Sequence, residues 1–149
     1  MAERNHLELG NYLPYLINRV GFALVEDFTG GALKQHGLTI DMWRVLAALS
    51  SNGGQRQVDL ADLTSIDAST LSRLVSRLVR LDLVTRSRSE TSNREVVVAL
   101  SAKGRALMQK LIPIAVKLEQ QAGAGLTAKE LAVAKALLKR MYLNFAQSR

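Results

Sequence analysis

Residues 69–81 sort their side chains by chemistry as a helix would sort them, and no other segment constrains the fold as strongly. At about 100° per residue, with Ser69 at zero, Ser72, Arg73, Ser76, Arg77 and Arg80 fall within roughly 100° of it and Thr70 lies at the edge. Leu71, Leu74, Val75, Leu78, Val79 and Leu81 fill the opposite arc. One face is therefore made for a core and the other for water or a polar partner. Asp67 is the expected N-cap, because its carboxylate can accept from the free amides of the first turn. A shorter amphipathic helix over 58–63 precedes it. After Asp82 the period changes: 84–88 and 96–100 are rich in β-branched residues and read as two short strands. The polar stretch 89–94 between them makes the pair a hairpin with an exposed tip.

The flanks are helical. Apolar residues at Leu9, Leu13, Leu16, Ile17, Val20, Leu24 and Phe28 form one stripe, in which Pro14 either starts the helix or kinks it. Gly30 and Gly31 are expected to loosen its end, and Gly37 to break the chain before Thr39 caps a second helix through Trp43, Leu46 and Leu49. Residues 51–54 read as a turn. Ser101 can cap a fifth helix, bent by Pro113, that ends at 123–125. Thr127 and Glu130 form a capping box ahead of a last helix carrying Leu131, Ala134, Leu138, Met141 and Phe145. The fold class is mainly α, a winged helix-turn-helix with a small β-hairpin wing and long helices on either side.

Composition removes several functions. Of 149 residues 48% are apolar, enough to bury a core, yet no run approaches the ~20 residues of a membrane span. With no cysteine, disulfides, thiolate metal sites and thiol redox sensing are excluded. His6 and His36 are the only histidines, and there is no Gly-rich phosphate loop or metal-ligand spacing, so no catalytic residue, metal or cofactor is expected. The formal charge of +7 favours a polyanionic partner. Membrane-surface binding through Lys129, Lys135, Lys139 and Arg140 is disfavoured, since these form no continuous stripe beside a strongly apolar face. The expected location is cytoplasmic.

The polar arc of the longer helix suits double-stranded DNA. Ser69, Thr70, Ser72 and Ser76 are small enough to let a helix approach base edges. Arg73 and Arg77 have the reach and the fork for guanine O6 and N7, and Arg80 in the last turn is placed for a phosphate. The arc holds no acidic residue. The hairpin adds Arg86 and Arg88, expected at phosphates, and Arg94, expected to enter the minor groove from the tip. From Arg73 to Arg94 six arginines stand against Asp82 and Glu90.

The run DLADLTSIDASTLSRLVSRLVRLDLVTR, the hairpin and then NREVVVALSAKGRAL together resemble the MarR (multiple antibiotic resistance regulator) family of winged-helix transcription factors. The resemblance covers nearly the whole chain. Arg94 matches the arginine of the family's Asp-x-Arg wing element and 101–104 its Thr-x-x-Gly helix start. Ser92 stands where the aspartate is expected, which leaves the tip either looser or braced by Glu90 or Glu95. The resemblance implies one domain over 1–149, with a DNA-binding lobe at 39–100 and a dimerisation region at 8–36 plus 101–147. It also implies a homodimeric repressor on an inverted-repeat operator of ~16–20 bp, its half-sites one DNA turn apart.

The family also commonly releases DNA when a small aromatic acid or related anion binds between the dimer helices and the winged helix. YLPYLINR is similar to the start of a branch associated with such acids or their thioesters. Tyr12, Tyr15, His36 and Trp43, with Arg19 as the carboxylate partner, are the residues expected at that effector. The alternative is a winged-helix module for protein contacts, or an anti-activator, without an effector.

Overall fold

The computed structural model describes residues 5–88, 90–91 and 95–146. Arg94 and Ser92 lie outside the described residues. The chain divides into two compact units, Met1–Ala115 and Val116–Arg149.

In the first unit, helix α1 (Leu13–Phe28) takes Pro14 within its first two positions, where the missing amide costs no helical bond, so the proline starts the helix. The glycine pair does not loosen its end. The chain continues as a wide π turn (Thr29–Leu33) and a tight 3₁₀ turn (Lys34–His36) before Gly37 reverses it at φ +69°. Burial explains this, because Ala32 and Leu33 are almost wholly enclosed and hold the turn against the core. Thr39 caps α2 (Ile40–Asn52), its hydroxyl accepting from the amide of Met42. Then come α3 (Gln57–Thr64), a left-handed turn at Ser65, and α4 (Ala68–Arg80).

The hairpin is β2 (Val84–Arg88) and β3 (Val96–Leu100), antiparallel with Val84 opposite Leu100 and Arg88 opposite Val96. A third strand, β1 (Gln55–Arg56), pairs with the other edge of β3, so the sheet order is β1-β3-β2. Leu46 from α2, Leu60 from α3, Leu71 and Leu78 from α4, Val98 from β3 and Leu111 from α5 (Ala102–Ala122) are fully enclosed around one core. Full burial of such a side chain stabilises the fold by about 1.5–3 kcal/mol.

Helix α5 runs on through Pro113. In the second unit Thr127 and Glu130 cap α6 (Ala128–Ala146) reciprocally at 3.1 Å each, and Lys135 pairs with Glu119. No residue of α6 is buried among the described residues.

Candidate nucleic-acid interface

Helix α4 is anchored by its apolar face and started by its cap. Leu71, Val75 and Leu78 have no exposed surface. The Asp67 carboxylate accepts from the Thr70 amide at 2.9 Å and from the Ser69 hydroxyl at 2.8 Å. Those bonds hold its carboxyl down at about 2. A depressed carboxyl adds stability above its ordinary value of about 4 and loses it as pH falls through the folded value. Asp67→Asn keeps a capping oxygen without the charge. The thermal midpoint of the native protein should therefore exceed that of Asp67→Asn by a margin that shrinks from pH 5 to pH 2. A margin constant with pH would remove the charge from the cap.

On the polar face Ser69, Arg73, Arg77 and Arg80 are exposed, and Thr70, Ser72 and Ser76 are half-buried. Among the described residues the ion pairs join Arg44 to Asp41, Arg56 to Asp59 and Glu95, and Lys135 to Glu119, and none of them involves α4. Arg73 leans on the Thr70 hydroxyl at 3.4 Å. The face thus presents three exposed guanidiniums that form no ion pair with a carboxylate among the described residues, and such a surface can take base edges or phosphates.

Two members of the apolar arc behave otherwise: Val79 and Leu81 are 40% and 37% exposed. Leu81 follows the last residue of α4 and borders a cleft with Leu83 and Lys103.

The wing arginines divide. Arg88 is exposed. Arg86 reaches across to α4, donating to the Ser76 hydroxyl at 3.1 Å and to the Ser72 carbonyl at 2.9 Å. The Ser76 hydroxyl itself donates to that same carbonyl at 3.0 Å. Arg86 therefore ties the wing to the helix. Strand alternation puts Val84, Arg86 and Arg88 on one face, with Val84 buried. Glu95 accepts from Arg56 at 3.0 Å, while Asp59 receives two further bonds from the same guanidinium at 2.7 and 3.0 Å. Asp59 first and Glu95 second raise the Arg56 pKa, and the bond from Arg56 lowers that of Asp59. This bracket between α3 and the base of β3 had no sequence signal beyond the charges.

Neither the cleft beside His36 nor the one beside Arg105 is lined by Tyr12, Tyr15, Arg19 or Trp43. Arg19 stacks on Tyr15 with its guanidinium carbon 5.6 Å from the ring centre, and Trp43 packs edge-on against Phe28 at 4.9 Å. Tyr12 is 43% exposed. His36 borders a cleft of about 330 Å³ that is completed by Leu81, Leu83, Lys103, Leu107 and Lys110. A second cleft of about 400 Å³, overlooked in the sequence, is walled by Leu49, Leu100, Met108 and Ile112 beside Arg105.

Residues 36–95 match the family model described as MarR family. The chain is 32% identical over 104 residues to the HTH-type transcriptional repressor NicR of Pseudomonas putida, covering 70% of this chain and 66% of that one. It is 30% identical over 109 residues to the HTH-type transcriptional regulator SarZ of Staphylococcus aureus, covering 73% of each. Among solved structures it superimposes on Bordetella bronchiseptica BpsR, whose DNA binding is regulated by 6-hydroxynicotinic acid (TM-score 0.77, 29% identity, 87% of this chain and 97% of that one). It likewise superimposes on a mutant MarR of Escherichia coli complexed with operator DNA (TM-score 0.77, 27% identity, 87% of this chain and 92% of that one). Fold, arginine face and relatives agree: the chain belongs to the MarR family of winged-helix DNA-binding transcription regulators.

Proposed function

We propose that the protein is a homodimeric repressor that places α4 in successive major grooves of an inverted-repeat operator and is released by a small aromatic or anionic effector. Members of its family regulate transcription and are not enzymes. The observation that carries the reading is the exposed Arg73, Arg77 and Arg80 on a helix whose opposite face is anchored by fully buried Leu71, Val75 and Leu78. Ser69, Thr70, Ser72 and Ser76 give that face its close approach, Arg88 follows on the wing strand, and Arg94 is the residue proposed for the minor groove. Arg86 acts at the same surface through its hold on Ser72 and Ser76.

The dimer reading is supported by apolar residues left uncovered within the chain. Leu13, Ile17 and Val20 on α1 are 49%, 42% and 58% exposed. Helix α6 has no fully buried residue among the described residues. Helices with apolar surface of this kind mark association sites. DNA and repressor then meet in the cytoplasm.

For the effector, Arg19 over Tyr15, His36 beside two lysines, and Trp43 remain the groups chemically suited to an aromatic anion, with Tyr12 at the exposed start of α1. The Arg105 cleft adds a further cation beside an apolar wall. Release requires that the effector bind one spacing of the two lobes better than the other.

Fluorescence anisotropy tests the central reading, using the inverted repeat nearest the gene's own start against a scrambled duplex at ~0.15 M salt. An affinity ratio of ~10³ or more is expected. Equal, weak and steeply salt-dependent binding to both duplexes would overturn it.

A further inference from the structure

The C-terminal end of α4 is held by another helix. Leu83 donates to the Leu78 carbonyl and Asp82 to that of Val79, with Asp82 in the left-handed region at φ +60°. This closes the helix end and leaves the carbonyls of residues 81, 82 and 83 pointing away from it. The start of α5 takes all three. Lys103 Nζ donates to the Leu81 carbonyl at 3.1 Å, the Ser101 hydroxyl to that of Asp82 at 2.6 Å, and the Ser101 amide to that of Leu83 at 3.0 Å. Ser101 Oγ accepts in turn from the Gly104 amide at 3.0 Å, capping α5 with the same atom.

Gly104 makes the approach sterically possible. A Cβ there would lie 2.0 Å from the Leu83 carbonyl oxygen, and Gly104 and Leu83 are both buried. In a helix, alanine is intrinsically favoured over glycine. Glycine at this place therefore needs a reason from packing, and the Leu83 carbonyl supplies it.

We propose that Ser101, Lys103 and Gly104 are positioning residues for DNA recognition: they fasten the end of the recognition helix to α5, so the direction in which α4 presents its arginines is set by α5. The proposal rests on the DNA-binding reading above. None of the three residues is required to touch DNA.

Three variants of the full chain test it. Lys103→Met removes one donor and keeps the apolar stem, Ser101→Ala removes the bridging hydroxyl, and Gly104→Ala inserts the colliding carbon. Ser101→Thr and Lys103→Arg restore the donors. Two measurements are made on each variant. In amide hydrogen exchange, the Asp82 and Leu83 amides should exchange about tenfold faster or more in Lys103→Met and Ser101→Ala. Amides in the middle of α4 should stay as slow as in the native protein, and the two conservative variants should restore protection.

In anisotropy, operator affinity in Ser101→Ala should fall about tenfold or more. Affinity for the scrambled duplex and its salt slope should not move, because no charge has changed. Unchanged exchange at Asp82 and Leu83 in both variants overturns the joint, whatever happens with DNA. Faster exchange with an unaltered ratio of operator to scrambled affinity overturns its role in recognition. A native protein that does not distinguish the two duplexes overturns the DNA reading, and exchange still decides the joint. Should Gly104→Ala fail to fold, the other two variants carry both measurements.

Discussion

Replacing Arg73 and Arg77 together by alanine is expected to lower operator affinity by about 10²- to 10⁴-fold while leaving the fold intact. Each bidentate arginine–guanine contact is worth about 1–3 kcal/mol of discrimination, and both side chains are exposed on α4, so no packing is lost with them. The loss should be unequal across sequences. Binding to the scrambled duplex weakens only through the two removed charges, so the ratio between the duplexes should shrink toward unity. Arg80→Ala supplies the contrast. A phosphate contact in the last turn should reduce affinity for both duplexes alike and lessen the salt slope by about one. If Arg73→Ala with Arg77→Ala behaved as Arg80→Ala does, α4 would be an electrostatic support and the bases would be read elsewhere.

The second large effect is expected in α6. Leu138 and Phe145 stand two turns apart on the same side of the helix, 50% and 71% exposed within the chain. Replacing both with glutamate costs the isolated chain little packing, but places four like charges in the proposed twofold interface. The expected product is a folded monomer, seen by sedimentation velocity as half the native mass, with a thermal midpoint that no longer depends on protein concentration. Operator affinity should fall about 10²- to 10⁴-fold, because the second half-site contact is no longer intramolecular. A variant that still sediments as a dimer would remove these two positions from the interface.

What could be read from the sequence was local. Thr39, Asp67 and the pair Thr127 and Glu130 cap their helices as their spacing requires, because each cap acts within three residues. The face of α4 was legible for the same reason: periodicity is a property of one helix. Strand β1 was not, since two residues carry no period and their partners Val97 and Val98 are far along the chain. Arg86 shows the limit most clearly. Its charge and alternation were visible, but whether it meets a phosphate or the Ser72 carbonyl depends on how the wing leans on α4. The aromatic residues near the start of the chain were grouped by chemistry, whereas the fold gives Tyr15 to Arg19 and Trp43 to Phe28.

The place of β1 has a consequence for the order of assembly. The chain enters α3 from one edge strand and leaves α4 into the other, so both ends of the recognition unit are fastened to β3. The hairpin joins Val84 to Leu100, whereas β1 joins Gln55 to Val98, a much longer loop. Long-range pairings carry the larger closure entropy and form later. During synthesis or recovery from heat, helices and hairpin should come first and the β1 pairing last. The wing is then complete as a hairpin before it is aligned with α3, and the Arg56 bracket to Glu95 closes only with that final step.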